Sequence, residues 1–146
     1  MRKALLRTAL GLFASAVLFA GGTAALAATA TYKAELSGKG EVPPNDSKGT
    51  GTVEATLDTD TMMLSWTVTY SGMTGPATAA HFHGPAKLGE NAGPAITLTA
   101  PLASPIKGEA KLTKDQADAL ANGLWYLNVH TAAHPPGEIR GQLVKK

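Results

Sequence analysis

Leu64, Trp66, Val68 and Tyr70 alternate without a break with Ser65, Thr67 and Thr69. On a helix these four apolar residues would scatter around the axis. On a strand they form one dry face opposite one wet face. Val53, Ala55 and Leu57 repeat the pattern against Thr52, Glu54 and Thr56, and Asp58-Thr59-Asp60 supplies the turn between the two runs. A chain built from such runs must pair its strands over a shared core.

Further short strands are expected at Tyr32 to Leu36, Ala77 to His83, Ala95 to Leu98, Ile106 to Leu112, Leu124 to His130 and Glu138 to Val144, each bounded by Gly, Pro, Asn or Asp. One helix near 114–122 interrupts them. Thr113-Lys-Asp-Gln116 is a capping box, Leu112 and Ala117 are placed as a hydrophobic staple, and Gly123 is positioned as the stop. About eight short strands with one helical connection predict an all-β protein, an antiparallel Greek-key sandwich or barrel.

The first 27 residues read as a signal peptide. Arg2, Lys3 and Arg7 precede an apolar run from Ala9 to Ala20, and Ala25-Leu26-Ala27 is a small-x-small cleavage site. Cleavage near Ala27 predicts a periplasmic or secreted product comprising residues 28–146, a length suited to one domain. The chain has no cysteine to carry a lipid, so no membrane anchor is expected in the mature form. The whole chain carries 13 Lys+Arg against 11 Asp+Glu, and the signal removes three of the cations. A nearly neutral domain gives no electrostatic reason to bind nucleic acid.

All four histidines fall in two tight groups, His81-Phe82-His83 and His130-Thr-Ala-Ala-His134. Residues i and i+2 of a strand share a face about 7 Å apart, so His81 and His83 can close on one ion. Both groups stand at expected strand ends, and Tyr126 and Asn128 share the face of His130. With no thiolate available, an imidazole site suits copper(II), with zinc the second choice. The alternative is that the histidines hydrogen-bond to loop backbone.

Other polar residues have plainer readings. Glu138 and Arg140 share a strand face opposite Ile139; a base and an anion clamp are conceivable, and charges bracing nearby loops are favoured. Glu41-Val-Pro-Pro44-Asn45 cannot join a central strand, which predicts a loop with Glu41 in solvent. Met62, Met63 and Met73 read as packing residues, and Trp66 and Trp125 as core.

Glu41-Val-Pro-Pro44, the stretch from Thr67 to Gly75, Ala80-His-Phe-His-Gly-Pro-Ala86 and the segment from Tyr126 to Gln142 together resemble the CHRD domain, named from chordin. Small exported bacterial proteins carry this domain. The resemblance implies a Greek-key barrel similar to copper/zinc superoxide dismutase, whose copper ligands include a His-x-His strand. It implies His81, His83 and His130 as the best matched ligands, and leaves His134 without a family counterpart. The dismutase zinc subsite has no equivalent, because no aspartate lies between Asp60 and Asp115 and no histidine between His83 and His130.

Three functions follow in order of expectation. The first is an exported protein that binds, buffers or carries copper through His81, His83, His130 and His134. The second is a non-catalytic module with structural histidines, its rim at 41–45 and 87–91 meeting an unidentified protein partner. The third is a mononuclear copper redox enzyme.

Overall fold

The computed structural model describes residues 28–146, so the expected signal peptide lies outside the described residues. Nine strands and one helix follow in order: β1 (Thr29–Ser37), β2 (Thr50–Asp58), β3 (Met63–Ser71), β4 (Ala77–His83), β5 (Pro94–Thr97), β6 (Ile106–Lys111), α1 (Lys114–Ala121), β7 (Tyr126–Thr131), β8 (Ile139–Gln142) and β9 (Val144–Lys145). The protein is all-β and antiparallel, a nearly closed barrel with one short helix.

The strand order is β5-β4-β7-β8-β1-β2-β3-β6, with β9 added to β1. Two halves result. β6, β3, β2 and β1 form one wall, and β5, β4, β7 and β8 form the other. The walls meet at a single β8–β1 pair, Ser37 opposite Arg140. The chain passes between them after β3, β5 and β6, bringing residues distant in sequence side by side.

The period-two pattern has the expected physical result. Val53, Ala55, Leu57, Leu64, Trp66 and Val68 are all buried, and their alternates face outward. Phe82 sits at the centre of the core, edge-on to Trp66 at 5.3 Å and tilted against Trp125 at 5.9 Å. The capping box of α1 forms in full, with Gln116 N–H donating to Thr113 Oγ1 and Thr113 N–H to Gln116 Oε1. Gly123 follows at a φ of +71°, a left-handed turn that side chains disfavour.

Strand ends shift by one to three residues from expectation, and two differences are larger in kind. The run from Glu138 to Val144 is divided, because β8 ends at Gln142 and Val144 turns to pair with Lys33 of β1. A 3₁₀ turn at Gly38–Gly40 also follows β1.

Candidate metal centre

Within the second wall, β7 is buried on both faces. All six residues of β7 are buried. Leu127 and Val129 point into the barrel, while Tyr126, Asn128 and His130 point out under a layer of loops. Register then assembles the outward face. β4 lies against β7 with Ala79 opposite His130, His81 opposite Asn128 and His83 opposite Tyr126. On the other side of β7, Asn128 faces Arg140 and Tyr126 faces Gln142. Strand pairing alone therefore brings His81 and His83 beside His130.

His81, His83 and His130 each offer one ring nitrogen within a set whose members lie within 4.8 Å of one another. His81 Nδ1 stands 3.0 Å from His130 Nε2. His83 and His130 are buried and His81 is half-buried. His134 is not in this set. It lies beyond β7 and lines a cleft with Glu41, Pro43, Pro44 and Pro136.

Main-chain carbonyls hold two of the rings. His83 Nδ1 is 2.9 Å from the Ala92 carbonyl oxygen, and His130 Nδ1 is 2.8 Å from that of Pro135. A carbonyl only accepts, so each Nδ1 carries a hydrogen and each neutral ring has its lone pair on Nε2. This is how metal-binding histidines are commonly fixed. Burial lowers the pKa of His83, with a smaller contribution from His130. Burial also lowers that of His81, aided by repulsion from His130 and His83. Neutral rings keep their lone pairs.

The loop cover is tied down by charged and aromatic side chains. Arg140 donates to Asn91 Oδ1 at 2.7 Å and to the Glu90 carbonyl at 2.6 Å, while its guanidinium lies 3.4 Å from the centre of the Tyr126 ring. The Tyr126 ring stacks on His83 at 4.7 Å, nearly parallel. Glu138 is fully buried and accepts from Ser47 Oγ, Thr74 N–H, Thr74 Oγ1 and Thr131 Oγ1. Burial raises its pKa as the largest single influence, yet the bonds from Ser47, Thr131 and Thr74 together hold it at about 2. Both charges thus brace loops, and neither is free to act on a substrate.

Glu41 overturns an expectation. It is buried, 7 % exposed, rather than solvated. The proline segment folds back over the wall, and Glu41 comes to rest beside Gly137 and the Asn128 amide. Gly137, at a φ of +139°, leaves the space that the carboxyl fills. Burial raises the Glu41 pKa to about 7 against smaller opposing effects of Arg140 and Asn128. Its Oε1 has no partner of normal hydrogen-bond geometry.

Fold and site together define an antiparallel barrel with a loop-covered histidine cluster on one outer wall. The chain belongs to the CHRD domain family, which it matches over residues 32–143. No curated protein and no solved structure matches it.

Proposed function

We propose that this protein is an exported mononuclear copper-binding protein that binds, buffers or carries the ion, with His81, His83 and His130 as ligands. The observation that carries the reading is the convergence of three ring nitrogens, two of them on rings fixed by main-chain carbonyls. An all-nitrogen imidazole set ranks copper(II) above zinc in the usual divalent order. Export rests on the leader-like residues 1–27.

Copper(II) titration of the metal-free protein, read by electron paramagnetic resonance, tests it. One tight equivalent with nitrogen hyperfine structure is expected. His83→Ala should weaken binding by about tenfold or more. Superstoichiometric binding unaffected by His83→Ala would end the proposal.

One observation favours a second reading, a structural module with an unidentified protein partner. Each of the three rings already has a hydrogen-bond partner within the protein. That reading predicts a lower melting temperature in His130→Ala and none gained by wild type with copper. A copper redox enzyme ranks below both. Arg140, the candidate for attracting a small anion, is 2 % exposed and committed to Asn91, Glu90 and Tyr126.

A further inference from the structure

The surroundings of His83 hold an unresolved pairing. With Nδ1–H directed at the Ala92 carbonyl, the neutral ring turns its Nε2 lone pair toward Asn128 Oδ1, 2.9 Å away. The amide cannot relieve this by turning over. Its Nδ2 faces the Pro136 carbonyl at 3.4 Å and lies beside the buried Glu41 carboxyl. Both of those groups accept, so the amide nitrogen belongs where it is and Oδ1 is left toward His83. Two acceptors therefore confront each other in a buried site, where leaving an acceptor unmet is costly. His130 Nε2 is a further lone pair beside them, since Pro135 fixes its Nδ1–H, and it accepts from His81 Nδ1–H at 3.0 Å.

Acceptors forced together are reconciled by a cation. A metal ion satisfies both at once. Two ligands about 2.0–2.1 Å from a metal and at right angles to each other stand about 2.9 Å apart. The separation of 2.9 Å between His83 Nε2 and Asn128 Oδ1, neither of which donates, agrees with that spacing.

We infer that the side-chain oxygen of Asn128 is a fourth ligand of the metal, completing a three-nitrogen, one-oxygen set with His81, His83 and His130 and taking the place sequence reasoning assigned to His134. This rests on the metal-binding reading above. Asn128 stands between the two histidine groups because it pairs with His81 across the sheet. Glu41 and Pro136 orient its amide. His134 lies in the proline-lined cleft instead.

Zinc(II), which is diamagnetic, and copper(II) are the probes. One equivalent of zinc added to ¹⁵N-labelled wild-type protein should shift the Asn128 side-chain NH₂ signal and leave those of Asn45 and Asn122 in place. Asn128→Ala should weaken copper(II) by about tenfold or more, and His134→Ala by less than about twofold. Tight binding that survives Asn128→Ala but is lost in His83→Ala, with an unmoved Asn128 signal, overturns the inference and leaves the metal reading intact. No stoichiometric zinc or copper on wild-type protein, or binding indifferent to His83→Ala, overturns both. Should Asn128→Ala fail to fold, the wild-type NH₂ shift decides alone.

Discussion

Glu138 offers a sharp test of how the loop layer is held, because four donors from three segments converge on one carboxylate. Ser47 comes from the loop before β2, Thr74 from the loop before β4, and Thr131 from the end of β7, at distances from 2.5 to 2.8 Å. They hold the carboxyl at about 2 against an ordinary value of 4.5, despite burial. At about 1.4 kcal/mol per unit, the shift corresponds to about 3 kcal/mol in full, of which about 2 kcal/mol falls between pH 5 and pH 2.5. A depressed carboxylate stabilises the fold fully above the unfolded value and loses that contribution as pH falls through 4.5 toward 2. Glu138→Gln keeps one acceptor oxygen and cannot ionise. Urea unfolding, followed by fluorescence of the buried Trp66 and Trp125, should show wild type losing about 2 kcal/mol more than Glu138→Gln between pH 5 and pH 2.5. Every other ionisable group is common to both proteins, so the difference isolates Glu138. Glu138→Ala, which strips every donor of its acceptor, should cost about 4 kcal/mol at pH 7. Parallel stability curves for wild type and Glu138→Gln would refute the reasoning.

Glu41 should act with the opposite sign. Its raised pKa stabilises the fold below about 4.5 and withdraws that contribution as pH rises through about 7, so the melting temperature of Glu41→Gln should gain on wild type between pH 5 and pH 8.5; a constant gap would contradict the assigned burial. Phe82→Ala empties the fully buried space between Trp66 and Trp125 and should cost about 3–5 kcal/mol in denaturant unfolding, with less than about 1 kcal/mol counting against its central place. Thr113→Ala removes the N-cap of α1 and should cost about 1 kcal/mol, measured the same way, while Thr113→Ser should cost little.

What could be read beforehand depended on whether a segment's two faces differ. β2 and β3 have one apolar and one hydroxyl-rich face, so alternation located them closely. The helix was legible because a capping box is a local device whose partners lie three residues apart. β7 was harder, since both of its faces are buried. Tyr126, Asn128 and His130 look like a surface face by type, and only the folded chain shows that loops cover them. Glu41 misled for the same reason. A glutamate near two prolines carries every local mark of a solvated loop, and its burial comes from contacts with Asn128 and Gly137, far along the chain.

The histidine groups were conspicuous in the sequence, but their meeting is a matter of register. A shift of one residue between β4 and β7 would place Phe82, rather than His81, across from Asn128 and send the imidazoles into the core. The apolar residues Ala80, Phe82, Leu127 and Val129 forbid that shift, because each has less than 1 % of its surface exposed. Core packing therefore sets the alignment of the polar face, although none of those four residues touches the chemistry proposed for it. The groups that fix the ring tautomers are less visible still. Ala92 and Pro135 act through main-chain oxygens, which every residue possesses, so no side-chain motif announces them. The choice between Asn128 and His134 shows the consequence. By residue type histidine is the stronger candidate, yet position favours the amide, which stands across from His81 with its oxygen 2.9 Å from His83. In a site assembled by strand pairing, the neighbour across the sheet outranks the better ligand farther along the chain.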